Sequence, residues 1–391
     1  MTSRVEIELK KLVNPRAKIP IDQISEGFLQ IVQDCMDFEG FPITTFSDYL
    51  ARFCIRNLPL CRSEQLLANL RQIIELLARN KVTKRPLLTS NCVVPSLIKA
   101  LSHPDMSLTF KKEVLAMLIA IGTMSISPEC RAGVRKKHSE EFDLLASQLF
   151  NIGEYDAQVL ILEIFIRFHG HVDLQATSKW FKSEEIARMF CNFEPRAFEP
   201  MCRPLLNKLN QGCGNNSLVR SFACIKMNVG ERQFVKPPDP HYDNLWVDFN
   251  FIPQSIWVFC QKPKNAPDLG KWDSLVMESS DILRYDIVNR GPNNVLRIEL
   301  VKEAYMFLDS SKLSQFPGFI LEMAFPKICP IEEAMKKICE KCPESGFESD
   351  DMIASSQPPT KGSCSMRFPC NAAEPFKESF MEEIGLQVAE Q

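Results

Sequence analysis

The residues of this chain with reactive side chains are cysteines and a few histidines. There are 15 cysteines and 5 histidines among 391 residues. A structural zinc needs four ligands at short paired spacings. The chain offers one C-x-x-C, Cys339-Glu340-Lys341-Cys342, with Cys329, Cys364 and Cys370 scattered around it and no second tight pair. His169-Gly170-His171 has no third ligand nearby and reads as a polar turn behind a helix ending at Phe168. Gln211-Gly212-Cys213-Gly214-Asn215-Asn216 is rich in glycine, but no strand precedes it and no lysine follows, so it reads as a helix end and not as a phosphate loop. No nucleophile elbow or dinucleotide fingerprint is present, and five dispersed histidines do not assemble a Cys–His pair. The expectation is therefore a chain with no catalytic residues, no metal site and no cofactor. Many cysteines lie inside apolar runs, such as Phe53-Cys54-Ile55 and Phe259-Cys260, where a reduced thiol serves as a small hydrophobe.

Two groups of residues suit binding better than catalysis. Arg131, Arg135, Lys136 and Lys137 form a basic run that Lys111 and Lys112 extend if their helices stack. Such a run attracts phosphates in a salt-sensitive way; the plainer alternative is an exposed turn between repeats. In Leu245-Trp246-Val247-Asp248-Phe249-Asn250, the residues Trp246, Asp248 and Asn250 share one face of a strand, and Trp257 follows on the next. A tryptophan left at a surface is a candidate partner contact, because this residue is enriched where binding energy concentrates.

The elements that carry these residues fall into two textures. Composition is that of a folded chain, 45% hydrophobic and 24% charged, with a formal net charge of -3. That balance gives no global attraction to nucleic acid or anionic membrane, and no apolar run reaches the ~20 residues needed to cross a bilayer. The first residues lack the apolar core of a signal peptide. Residues 1–230 hold 29 basic against 24 acidic residues, 231–326 hold 10 against 13, and 327–391 hold 7 against 12.

The first part is helical. In Ser63–Asn80, Leu66, Leu67, Leu70, Ile73, Ile74 and Leu77 recur at steps of three and four behind Ser63 as N-cap. The next stretch resembles an armadillo repeat: Val93-Val94-Pro95-Ser96-Leu97-Ile98, a turn at Ser102-His103-Pro104-Asp105, then a long helix through Lys112-Glu113-Val114-Leu115-Ala116-Met117-Leu118. A looser copy over 141–168 places Leu149 where the first places Leu101, 48 residues on, so an insertion is implied against a usual period of about 40–47. Peptide-binding armadillo proteins carry Trp and Asn on the third helix. Those positions hold Ala116 and Ala120 here, so the groove suits a folded partner or an apolar motif.

From Glu231 the texture becomes prolines and short alternating runs. Strands are expected at 245–251, 256–260, 275–277, 282–288, 295–301, 304–308 and 319–325, with a terminal helix over 330–342. The expected fold is an armadillo/HEAT-like helical solenoid and then a small pleckstrin-homology-like antiparallel β-sandwich or barrel with a C-terminal helix. The expected domains are 1–230, a proline-rich linker at 231–244, a β-domain at 245–342, and a disordered acidic tail at 343–391.

Three strings then give a resemblance. Asn151-Ile152-Gly153-Glu154-Tyr155-Asp156-Ala157-Gln158-Val159, Trp180-Phe181-Lys182-Ser183-Glu184-Glu185-Ile186-Ala187 and Leu245-Trp246-Val247-Asp248-Phe249-Asn250 resemble, in order and spacing, strings of the synaptonemal complex protein 2 family, the shorter "2-like" paralogue included. That resemblance implies an armadillo-like domain before a domain similar to the middle domain of a histone chaperone. It implies a non-catalytic, nuclear, chromosomal scaffold of the meiotic chromosome axis, at the lateral element or centromere. The implied partners are HORMA-domain axis proteins, coiled-coil axis proteins, centromere proteins or histones, with direct nucleic-acid contact weak at most and no membrane. The alternatives are a chromatin- or histone-binding module and an armadillo adaptor outside meiosis. Residues 343–391 lack the sustained heptads of the family's C-terminal coiled coil.

Overall fold

A computed structural model describes residues 2–12, 14, 19–35, 42–58, 63–79, 93–122, 127–169, 174–193, 198–230, 232–237, 242–261, 272–301, 305–308, 312–315 and 320–340. The expected tail at 343–391 and the His171 turn lie outside these residues. The described residues fall into two compact units, one drawn from Met1–Ile152 and Asp156–Leu209, the other from Gly153–Tyr155 and Asn210–Pro375.

The first unit is built from helices α1 (Thr2–Leu12), α2 (Ile21–Cys35), α3 (Ile43–Asn57), α4 (Glu64–Arg79), α5 (Val93–Leu101), α6 (Leu108–Gly122), α7 (Pro128–Lys137), α8 (Ser139–Asn151), α9 (Tyr155–His169), α10 (Leu174–Phe181), α11 (Glu184–Cys191) and α12 (Phe198–Gly212). The six apolar residues of α4 read from the sequence are all buried, and Ser63 Oγ accepts from the Leu66 amide at 3.2 Å. Ser107 and Ser183 cap α6 and α11 in the same way, accepting from the Phe110 and Ile186 amides. Each satisfies a donor that the first helical turn leaves without a partner.

These helices stack in two rows. Along one, α3 packs on α5, α5 on α8, and α8 on α10; along the other, α2 packs on α4 and α4 on α6. The end of α6 meets α9 at Gly122, where an added Cβ would stand 2.9 Å from the Phe168 ring. Ion pairs tie the rungs: Arg71 to Glu113 at 3.4 Å and Lys112 to Asp156 at 3.0 Å, and Lys99 to Glu141 at 3.0 Å. The repeat expected at 93–118 is present as α5, a turn and α6, and the copy after it as α8 and α9. The implied insertion is α7. Ser127 caps it, Pro128 opens it, and its last turn holds Arg135, Lys136 and Lys137, where the helix dipole favours cations. The run read as a possible inter-repeat turn is thus a helix, hidden because among its described side chains only Val134 is buried and apolar.

The second unit has β1 (Val219–Cys224), β2 (Lys226–Val229), β3 (Arg232–Phe234), β4 (Leu245–Asn250), β5 (Ser255–Gln261), β6 (Trp272–Glu278), β7 (Ile282–Arg290), β8 (Asn293–Leu300), β9 (Tyr305–Leu308), β10 (Lys312–Gln315), β11 (Ile320–Pro326) and the closing helix α13 (Ile331–Ile338). They form two antiparallel sheets, in the orders β1-β4-β5-β6-β9-β10 and β3-β2-β11-β8-β7. Neither sheet closes into a barrel among the described residues. Val247, Phe249, Ile256 and Val258 of the first sheet share one core with Leu296, Ile298, Leu321 and Met323 of the second. Helix α13 completes that core with Ile331, Ala334, Met335 and Ile338. Arg220 of β1 pairs with Glu333 of α13 at 2.9 Å.

All seven expected strands are present. Four were not foreseen, β1, β2, β3 and β10, and three of these lie before residue 245. Strand β1 pairs with β4 along its whole length, Val219 opposite Asn250 through Cys224 opposite Leu245. The β elements therefore begin at Val219, and the expected linker at 231–244 includes β3. Strand β1 escaped notice because its burial does not alternate: Arg220 through Ala223 are all half-buried.

Candidate protein-binding surfaces

Register places the strand residues expected to bind. On the face of the six-stranded sheet that points away from the core, β4 presents Trp246, Asp248 and Asn250, and β5 presents Trp257 opposite Asp248. Trp246 and Trp257 are half-buried, whereas Asp248 is 3% exposed and Asn250 is fully buried. Asp248 accepts from the Ser221 hydroxyl at 2.6 Å. Asn250 Oδ1 accepts from the Tyr155 amide at 2.9 Å, and its Nδ2 is buried without a hydrogen-bond partner among the described residues. An alternating strand puts all three residues on one face, as expected; neighbouring strands decide how much of each is reachable. Asp248 and Asn250 are covered inside the unit, so the reachable side chains are the two indoles. Trp257 Nε1 donates to Ser255 Oγ at 3.0 Å, which fixes its ring. Phe259, two residues further along β5, packs on Tyr242 with ring centroids 5.7 Å apart and extends the aromatic strip. Sequence reasoning missed Ser221 and Phe259; the alternation of 255–261 carried the signal for Phe259.

The basic residues do not act as one group. Lys112 is engaged with Asp156 and its side chain is 13% exposed. Lys111 is half-buried, and burial holds its ammonium pKa below the ordinary value. Arg131 and Arg135 on α7 are half-buried, and Lys136 and Lys137 are exposed. The cationic surface therefore centres on the last turn of α7.

Beside it, His138 ends α7 and opens α8, with its side chain 10% exposed and Nδ1 3.9 Å from Glu141 Oε2. Burial is the main reason its pKa lies below the ordinary value; Glu141 opposes this, and Lys137 and Lys99 add to it. For Glu141, burial pulls upward, but the hydrogen bond and charge of Lys99 win and hold its carboxyl below the ordinary range. His138 is thus buried and Glu141 half-buried at a helix junction, with the exposed Lys99 pairing Glu141 from α5.

Cys54, Cys202, Cys224, Cys260 and Cys339 are buried packing residues. Burial pushes the Cys54 thiol up to about 12, and the same cause takes Cys224 up to about 12 against two backbone hydrogen bonds. A thiol so shifted is a poor nucleophile and a poor ligand at neutral pH. Among the described residues no three His, Cys, Asp or Glu side chains gather to hold a metal, and no helix is long and apolar enough to cross a membrane.

Much of each string that carried the resemblance is interior. Trp180, Phe181, Ile186 and Ala187 are all buried. Trp180 stacks on Phe165 at 4.4 Å and donates to Asp143 at 3.0 Å. Gln158 of the first string donates to the Leu149 carbonyl at 2.6 Å, and the third string is β4 itself. These are positions where packing and hydrogen bonding allow few alternatives.

Comparison with known proteins agrees with that reading. Residues 219–341 match the family model of the synaptonemal complex 2 Spt16M-like domain, from the first strand through the closing helix. The β unit is similar to the synaptonemal complex 2 Spt16M-like domain. The chain is also similar to the synaptonemal complex protein 2-like proteins of Mus musculus, 28% identical over 37% of this chain and 17% of that protein, and of Xenopus laevis, 28% identical over 40% and 16%. It is 25% identical to synaptonemal complex protein 2 of Homo sapiens over 50% of this chain and 12% of that protein. The aligned stretch is thus less than a fifth of these relatives' lengths. A solved structure described as a synaptonemal complex protein matches the fold with a TM-score of 0.61 at 16% identity, over 86% of each chain. The resemblance read from the three strings holds.

Proposed function

We propose that this chain is a non-catalytic adaptor of the meiotic chromosome axis, at the lateral element or the centromere, and that it recruits protein partners by surface recognition. The observation that carries the reading is the family match, which spans the whole β unit and is named for the synaptonemal complex. Its relatives bear the same name. The partner classes are those of the axis: HORMA-domain proteins, coiled-coil axis proteins or centromere proteins. The place of action is the nucleus, on chromosomes. The contacts on the β unit are Trp246 and Trp257. On the helical unit the last turn of α7, with Arg135, Lys136 and Lys137, contributes a cationic contact.

A second reading is that the Spt16M-like domain binds histones. The likeness to Spt16M that gives the domain its name favours it. The two separate in a binding measurement with the purified full chain against immobilised axis proteins of each class and against histone complexes, over a salt series. Axis recruitment predicts saturable binding to an axis protein that Trp246→Ala with Trp257→Ala weakens at least tenfold. Histone binding predicts an affinity that falls steeply with salt and is indifferent to the tryptophans. Binding to none of the axis classes would remove the first reading.

A further inference from the structure

The five-stranded sheet ends in β7, and among the described residues no strand pairs with its outer side. At nine residues it is a long edge, compared with three residues for β3 at the opposite side. Leu283 and Val288 on it are 54% and 38% exposed. An open edge of this length and apolar content is a template for a further strand. The edge nonetheless carries three features that work against pairing. The register with β8 shifts between Ile282 and Arg284, so Leu283 is a bulge that twists the strand end away. Arg284, Asp286 and Arg290 put charges on its solvent side, with Arg284 held by Glu299 at 2.6 Å. The backbone amide of Ile287 donates to Asp286 Oδ1 at 2.8 Å, a side-chain acceptor supplied from the same strand.

We infer that Asp286 is the guard of this edge, occupying the Ile287 amide that an incoming strand of a second copy of this chain would need. A strand adds to an edge by satisfying its outward amides and carbonyls in alternation. With the central amide of β7 already bonded, and a carboxylate beside it, a second β7 loses its middle hydrogen bond and buries a charge. The bulge at Leu283 removes the pairing on one side of that point. The remaining stretch, from Val288 to the Gly291 turn, is too short to hold a strand by itself.

The test uses the purified full chain with Asp286→Ala, Asp286→Asn and Asp286→Ala combined with Val288→Lys. Light scattering after size exclusion reads the mass over a concentration series, and hydrogen exchange reads the Ile287 amide. The expected result is a concentration-dependent increase in mass for Asp286→Ala, with Ile287 exchanging about tenfold faster in its dilute monomer, as loss of a charge-assisted bond implies. Asn keeps an acceptor at the same position and stays closer to wild type. A lysine at Val288 restores the edge charge and returns the alanine variant to the wild-type mass, which separates strand pairing from misfolding. An alanine variant with wild-type mass and wild-type exchange at Ile287 would overturn the inference. So would association that persists with Val288→Lys, since that marks a general loss of fold.

Discussion

Trp180 and Gly122 show how single side chains hold the helical unit together. Trp180 stacks on Phe165, donates to Asp143 and is 5% exposed. Replacing it with Ala removes a large buried surface and leaves a cavity, a loss of about 3–5 kcal/mol in unfolding free energy. Phe keeps a ring against Phe165 but loses the hydrogen bond and part of the packed volume, about 1–2 kcal/mol. Urea unfolding of the two variants should separate them by that margin. At Gly122, Ala gains about 1 kcal/mol of helix propensity. The new methyl would stand 2.9 Å from the Phe168 ring and 3.0 Å from Arg167 Cβ. Overpacking costs about 1–3 kcal/mol, so the net change is a loss and the melting temperature falls. His138 adds a pH dependence. Because burial holds its folded-state pKa below the ordinary value, the unfolded chain takes up a proton first as pH falls below about 6.5. Stability from this residue is full above that pH and is lost on acidification. His138→Gln should flatten the difference in urea midpoint between pH 7.5 and pH 5.5.

At the scale of elements, caps and closing pieces matter most. Ser183→Ala removes the acceptor for the Ile186 amide and should cost about 1 kcal/mol, read as a shift in the denaturation midpoint. Helix α13 buries four side chains in the β core, so Met335→Ala should cost about 2–5 kcal/mol and loosen the β unit, as hydrogen exchange in β4 and β11 would report. Much of this layout was legible in advance because it follows from period. The 3.6-residue stripe of α4 and the alternation of β4 each state which face is buried. The elements that escaped have a physical reason for doing so. Strand β1 has polar side chains at positions that are covered, α7 has almost no apolar stripe, and β10 has four residues. The site was legible in part. Alternation assigned Trp246, Asp248 and Asn250 to one face, but which of them stay reachable depends on Ser221 from a strand that had not been foreseen.

For the whole molecule, the account rests on two folded units that expose side chains for docking. Five of its described cysteines, Cys54, Cys202, Cys224, Cys260 and Cys339, are buried, and the described residues gather no metal-binding cluster. Its charge is arranged in pairs along the helical stack, with Arg71, Lys112 and Lys99 each bound to an acid on a neighbouring helix. The most direct measurement is localisation of the tagged full chain on spread chromosomes of meiotic prophase nuclei, alongside a Trp246→Ala, Trp257→Ala variant of matched expression and melting temperature. The account predicts that the wild-type chain lies along the axes or at centromeres and that the variant is dispersed. A wild-type chain spread evenly through the cell, or a variant retained on the chromosomes as well as the wild type, would contradict it.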